Sequence, residues 1–378
     1  MKIIHEASSS ASVTSERAGA APAAGAAPAA GAAPAARVAW PDAARREAFA
    51  RWARAIAPRH GLELATLAPA SADASFRRYL RLAGAGASFI VMDAPPPHED
   101  VRPFVAVAGL AAAAGLNVPR VLEADVAQGF LLLTDLGSAG YLEALQQATP
   151  AEADRLMRDA ITALVRWQTG VPASALPAMD AAVLQAEIDL FADWCAARKY
   201  GIAWSERERA AWQRTSGLVV AQAAAQPQLA VHADWMPRNL MRGTPEPGIL
   251  DFQDAMRGPL AYDIASLLRD AFVSWDEERE IDWAVRWWDQ ARRAGLPVAA
   301  DFGQQWQAIE WTGLLRHLRV AGIFCRLELR DGKPRYVQDL PRFFAYATKV
   351  ALRYRPLAPL LPLLEPMSGA ALQAGFTF

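Results

Sequence analysis

The chain has 378 residues, enough for two globular lobes, because single hydrophobic cores stop growing at roughly 250–300 residues. Apolar residues make up 53% and charged residues 21%, and the formal net charge is −1, which argues against a dedicated nucleic-acid binder that must neutralise phosphates. Two cysteines and five histidines without metal-ligand spacing exclude a disulfide framework and a Cys- or His-rich metal centre, so any metal has to be held by oxygen ligands. No apolar run reaches the roughly 18–20 residues of a membrane helix, and the start, Met1-Lys2-Ile3-Ile4-His5-Glu6, lacks an apolar stretch of signal-peptide length. The expectation is a soluble cytoplasmic protein with neither a membrane nor a nucleic-acid partner.

In chain order, residues 19–36 are three copies of Gly-Ala-Ala-Pro-Ala-Ala. They offer no bulky apolar face, and the recurring proline interrupts helix, so residues 1–38 read as a disordered tail. From Trp40-Pro41-Asp42 onward, Phe49, Trp52, Ala53 and Ile56 share one helical face, and Pro58 with Gly61 should end that helix. A β-rich stretch follows, with strands at 79–82 and 89–92 around a Gly84-Ala85-Gly86 turn. After Pro95-Pro96-Pro97 comes a helix over 102–114, then strands at 118–122 and 130–133, and a sharp exit at Asp135-Leu136-Gly137. Beyond this point the pattern is helical, opening with the capping box of Thr149 and Glu152 and with Pro150 at the first helical position. The exceptions are two short strands at 229–232 and 248–252, read as one hairpin. The order of elements is a small β-rich lobe over 39–135, a hinge, and a larger, mostly helical lobe over 136–378.

The densest cluster of polar residues in apolar surroundings is His232-Ala233-Asp234-Trp235-Met236-Pro237-Arg238-Asn239, followed by Gly248-Ile249-Leu250-Asp251-Phe252-Gln253-Asp254. An Asn and an Asp on adjacent loops are hard oxygen ligands suited to Mg²⁺ held partly by substrate phosphates. Asp234 is then left to accept a proton from an attacking hydroxyl, the division of labour that phosphoryl transfer needs.

His-x-Asp-x-x-x-x-Asn followed by Ile-Leu-Asp-Phe resembles the catalytic and metal loops of the aminoglycoside phosphotransferase family, within the protein-kinase-like superfamily. Ser71 to Tyr79, Val91 to Pro96, Ser266 to Asp270, Arg316-His317-Leu318 and Arg330 to Tyr336 extend the likeness. They resemble bacterial sugar kinases of cell-wall recycling that act on the anomeric hydroxyl of N-acetylmuramate and N-acetylglucosamine. The resemblance covers about residues 40–356 and implies an α+β, two-lobed, kinase-like fold using ATP and Mg²⁺. It implies Asp234 as catalytic base, Asn239 and Asp251 as metal ligands, and His232 as a brace of the loop. Residues 73–78, with Ser75, Phe76 and Arg77, would cover the ATP phosphates, and residues 130–135, with Leu133 and Asp135, would form the adenine hinge.

The small lobe departs from the kinase pattern in having no lysine, since residues 3–198 contain none; Arg77, Arg78 and Arg81 are the alternatives for the phosphate-facing cation. Arg238 is expected to touch phosphate or substrate, and Asp254 either to bind a substrate hydroxyl or to shape the turn. Arg269 is expected either to bind the sugar or to pair with a neighbouring carboxylate, and Asp263 to cap a helix or hold the catalytic-loop backbone. Residues 311–355 carry eight Arg and two Lys against Glu328, Asp331 and Asp339, a balance that suits an anionic acceptor better than a polycationic antibiotic. A kinase of another small hydroxyl compound (choline, homoserine or an aminoglycoside) and a catalytically dead kinase-like binding module are the competing readings.

Overall fold

The computed structural model describes residues 38–72 and 76–368. Ser75, and the tail expected over residues 1–38 apart from Val38, lie outside the described residues.

Helix α1, Ala43–His60, starts where the Asp42 carboxylate accepts the Arg45 amide at 2.6 Å. It ends at Gly61, whose φ of +59° is left-handed and whose missing Cβ would otherwise stand 2.9 Å from that of Ala85. Pro58 does not stop the helix as expected but sits in its last turn. Five antiparallel strands follow: β1 (Glu63–Ala72), β2 (Arg78–Gly84), β3 (Ala87–Asp93), β4 (Val121–Asp125) and β5 (Phe130–Thr134). They are ordered β1-β2-β3-β5-β4, with α2 (Arg102–Ala113) between β3 and β4. The strand β1 was not expected. Its run of Ala, Pro and Ser has weak β-propensity, and its place comes from pairing on the exposed flank of β2 through an irregular register.

Alternation along β5 divides the small lobe in two. Phe130 and Leu132 pack with Phe49, Trp52 and Ile56 of α1. Leu131 and Leu133, with Met92, point the other way into a core shared with α2 and the larger lobe.

The larger lobe contains α3 (Tyr141–Gln147), α4 (Pro150–Gly170), α5 (Ala181–Leu190), α6 (Glu206–Ala224), α7 (Tyr262–Leu268), α8 (Glu277–Arg293), α9 (Phe302–Leu329), α10 (Leu340–Arg353) and α11 (Leu361–Ser368). Helix α4 opens with the reciprocal Thr149–Glu152 capping box. Helix α5 runs on into a π-helical segment, Phe191–Lys199, against which α9 packs at Gly322. A Cβ on Gly322 would lie 2.4 Å from the Leu190 carbonyl, so only glycine allows that crossing.

The strand segments of this lobe are β6 (Gln228–Val231), β7 (Leu240–Met241), β8 (Gly248–Ile249) and β9 (Met256–Pro259). The single hairpin expected from 229–232 and 248–252 does not form. Instead β6 pairs with β9 and β7 with β8. Two residues, as in β7, are too few to leave a period in the sequence, and the four of β9 end in Gly-Pro, so both partners were invisible. The result is two small ribbons whose connecting loops meet. Among the described residues no helix is long and apolar enough to cross a membrane.

Candidate active site

β6 delivers His232, Ala233 and Asp234 to a loop with an unusual backbone. Ala233 has φ +77°, a conformation that typically costs a non-glycine residue about 1–3 kcal/mol unless its surroundings impose it. What imposes it is Asp263, fully buried in the first turn of α7. Its carboxylate accepts the His232 amide at 2.7 Å and the Ala233 amide at 3.1 Å. Asp263 therefore holds the loop backbone and does not cap its own helix, whose N-cap is Ala261. Burial pushes the Asp263 carboxyl up to about 7, against the two amides and the Arg316 charge, which favour the ionised form.

His232 is boxed between Trp167 and Trp235, with ring centroids 5.3 and 5.5 Å away. One ring nitrogen donates to the Leu250 carbonyl at 3.0 Å, and the other accepts the Asp234 amide at 3.3 Å. This pattern fixes a neutral tautomer and ties the two loops together.

The Asp234 side chain reaches the cleft one-third exposed. One carboxylate oxygen lies 3.4 Å from Arg316 Nη2 and 3.9 Å from Arg319 Nη1, both on the buried face of α9. Arg319 is in turn 3.0 Å from Glu187 of α5 and donates to the Tyr262 hydroxyl at 3.3 Å. The nearby acids raise the Arg319 pKa despite the opposing effect of burial, so its charge is permanent. Arg316, 1% exposed, keeps Nε and Nη1 without a hydrogen bond among the described residues. Neither arginine was assigned a role from sequence. The available signal was two arginines three residues apart inside the apolar run of Leu314, Leu315, Leu318, Val320 and Ala321.

The Asn239 amide nitrogen donates to the Asp234 carbonyl at 2.9 Å, which fixes the amide plane, and the Asn239 carbonyl accepts the Leu250 amide at 2.9 Å. Asp251 follows at once, with φ +62° and one carboxylate oxygen held by Gln253 Nε2 at 2.8 Å. Gln253 also reaches Asp254 at 3.4 Å, and its own amide oxygen is buried with no hydrogen bond among the described residues. The Asn239 amide oxygen and the Asp251 carboxylate form the hard-oxygen pair that fits Mg²⁺, which ordinarily takes one or two protein ligands and completes its shell with phosphates and water. Among the described residues no group of three His, Cys, Asp or Glu side chains converges as an all-protein metal cage.

In the small lobe, Arg78 is held with Arg45 on the buried Asp93 carboxylate. Arg81 is held on Asp135, with Nε–Oδ2 at 2.6 Å. Arg77, 3.5 Å from Glu99, is the arginine that lies in the field of Asp251 and Asp254 across the cleft. Phe76 is 47% exposed and stacks on His98. The Asp135 side chain is saturated by Arg81, Ser88 and the Gly137 amide, which together hold its pKa low against the opposing effect of burial. It braces the hinge, leaving only its backbone to meet a ligand. Leu133 contributes to the shared core beneath the hinge.

Of the expected sugar contacts, Arg238 is exposed beside Asn239 with its guanidinium 5.7 Å from the Phe272 ring. Arg269 is corrected: at 1% exposure it bridges Glu280 at 3.1 Å and Glu310 at 2.9 Å and does not line the cleft. Of the two roles left open by the sequence, the carboxylate pairing is the one the fold realises.

The buried histidines set a pH limit. Burial lowers His232 to about 4 and His317 to about 3, whereas an unfolded histidine titrates near 6.5. Below pH 6.5 the unfolded chain takes up protons that the native state refuses, so stability present at neutral pH is lost as pH falls toward 4. By pH 5 each histidine contributes roughly 2 kcal/mol of destabilisation. Urea midpoints at pH 7 and 5 should show the drop, and His317→Gln should remove about half of the histidine-linked slope.

A β-rich small lobe, a braced hinge and a loop presenting Asp, Asn and Asp define a two-lobed, protein-kinase-like phosphotransferase. The model of the phosphotransferase enzyme family matches residues 66–320, more than half of the chain, and the protein belongs to that family. It is similar to the N-acetylmuramate/N-acetylglucosamine kinase of Pseudomonas putida, 49% identical over 82% of this chain and 89% of the relative. The kinase of the same name from Pseudomonas aeruginosa is 49% identical over 81% of this chain and 90% of its own length. Among solved structures, choline kinase LicA from Streptococcus pneumoniae shares the fold, with a TM-score of 0.56 and 12% identity over 82% of this chain and 99% of that one. The chain is a sugar kinase.

Proposed function

We propose that this sugar kinase transfers the γ-phosphoryl group of ATP to the anomeric (C1) hydroxyl of N-acetylmuramate, N-acetylglucosamine or both. The product, a sugar 1-phosphate, would serve nucleotide-sugar synthesis during peptidoglycan recycling in the cytoplasm. The observation that carries the reading is the Asp234 carboxylate, set on a loop pinned by Asp263 and flanked by Arg316, with Asn239 and Asp251 alongside. The names of the relatives, at 49% identity, support the choice of acceptor.

In this reading residues 39–135 cover the nucleotide, and residues 136–378 carry the chemistry and the acceptor. Asp234 orients the hydroxyl and takes its proton as the oxygen attacks phosphorus. Arg316 and Arg319 hold that carboxylate aimed at the cleft. Asn239 and Asp251 would hold Mg²⁺, which when bound would neutralise phosphate charge. Backbone groups at the hinge take the adenine, and Arg77 supplies the phosphate-facing cation in place of a lysine. Arg238 is assigned to phosphate or sugar, and Asp254 to a sugar hydroxyl. Catalysis then comes mainly from positioning and charge neutralisation.

Phosphorus NMR of the protein with ATP, Mg²⁺ and each sugar tests the proposal. A sugar 1-phosphate resonance is expected, and its absence with both sugars, despite ATP binding, rules the acceptor out. Arg77→Gln should raise KM for ATP about tenfold, as loss of a charged hydrogen bond predicts, and should also cost some stability because it strips the partner from Glu99. Arg81→Gln should instead loosen the hinge and lower the melting temperature, because it strips the partner from Asp135.

A further inference from the structure

The basic character of the C-terminal region has a local focus next to the catalytic loop. Tyr336, 6% exposed, packs on Phe324 at 5.2 Å. Its hydroxyl accepts a hydrogen bond from Arg335 Nη2 at 3.1 Å, and the Arg238 guanidinium lies close enough to act on the same phenol. Two guanidinium groups thus converge on one neutral oxygen, and together they lower the phenol's pKa against the opposing effect of burial. Among the described residues neither arginine forms an ion pair, whereas nearby Arg330 and Arg342 pair with Asp331 and Asp339. Arg326, on the last turn of α9, also lacks an ion pair there, and its Nε is buried without a hydrogen bond. Burial, Arg330 and Arg319 all depress its pKa, so the local field holds more positive charge than its acids balance.

The location says which ligand meets this field. Arg238 follows Asp234 by four residues, adjoins Asn239, and lies over Phe272. Phe272 in turn donates its amide to Asp270 at 2.9 Å, and Asp270 lies in the field of Arg316 on α9. The cluster stands on the larger-lobe side of the catalytic loop, whereas Arg77 faces Asp251 and Asp254 from the small lobe.

We propose that Arg238, Arg335 and Tyr336 form an anion-binding notch that receives an acidic substituent of the acceptor, and so selects an acid-bearing amino sugar over a neutral one. This rests on the sugar-kinase reading and deepens it. The ether-linked lactyl carboxylate of N-acetylmuramate is such a substituent, and N-acetylglucosamine has none. A carboxylate can take charged hydrogen bonds from both arginines and offset their mutual repulsion, whereas a hydroxyl offsets none of it. Phosphate oxygens of ATP share this chemistry, and kinetics separates the two sources.

The test is steady-state kinetics of the full chain with both sugars, for wild type, Arg335→Gln, Arg335→Lys and Arg238→Gln. Thermal melting would confirm that each variant folds, and Arg335 is exposed, so its replacement spares the core. The notch predicts that Arg335→Gln and Arg238→Gln each lower the kcat/KM ratio of N-acetylmuramate to N-acetylglucosamine about tenfold, the loss expected for one charged hydrogen bond. Arg335→Lys should recover part of that ratio. An unchanged ratio, or a rise in KM for ATP with both sugars equally affected, overturns the notch and leaves the sugar-kinase reading intact. No turnover of either sugar by the wild type overturns that reading, and the notch with it.

Discussion

Replacing Asp234 by Asn is expected to lower kcat by about a thousandfold, within the usual range for losing a positioned general base, while ATP binding and the melting temperature stay near wild type. The amide is nearly isosteric but cannot take a proton. The geometry explains why the fold should tolerate the change: the carboxylate is one-third exposed, and the loop beneath it is held through the backbone of His232 and Ala233. Removing the charge does leave Arg316 and Arg319 without that carboxylate, but Arg319 retains Glu187 and the Tyr262 hydroxyl. Stopped-flow or coupled-assay kcat, alongside ATP titration by calorimetry, would check this. A variant with more than a tenth of wild-type kcat would remove Asp234 from the role of base.

Replacing Arg269 by Met is expected to destabilise the protein by about 3–5 kcal/mol, the usual result of breaking a buried ion pair by removing one partner. The cost falls mainly on Glu280. Glu310 keeps Arg353 at 2.5 Å and the Tyr354 hydroxyl at 2.6 Å, but Glu280, 1% exposed, loses its charged partner. Burial already raises the Glu280 pKa, and removing Arg269 would raise it further. The double variant Arg269→Met/Glu280→Gln should therefore recover part of the loss. Urea denaturation checks both. Wild-type stability combined with a raised acceptor KM would return Arg269 to the substrate-binding role that its sequence position also allowed.

The two predictions differ in how much of their basis could be read from the chain. The segments 232–239 and 248–254 hold the residues of the proposed chemistry close together in sequence, so spacing alone brings Asp234, Asn239 and Asp251 to one place once the ribbons form. The small-lobe sheet was legible where strands alternate strongly, at β2, β3 and β5. It was not legible at β1, where edge pairing overrides weak propensity. Arg77, Arg78 and Arg81 are indistinguishable by type, and only their partners, Asp93 for one and Asp135 for another, separate them.

By itself the sequence determined the two lobes, the end of α1 at Gly61, the capping box of α4, and the two polar segments proposed to carry the chemistry, because these depend on local periodicity, caps and short spacings. Tertiary structure alone decided that Asp263 holds the loop, that Arg316 reaches Asp234 from 82 residues away, and that Arg269 is sealed between two glutamates. Those outcomes depend on which faces of α7, α8 and α9 pack together. A charged residue in an apolar run announces that it must find a partner, but only the packing determines which one.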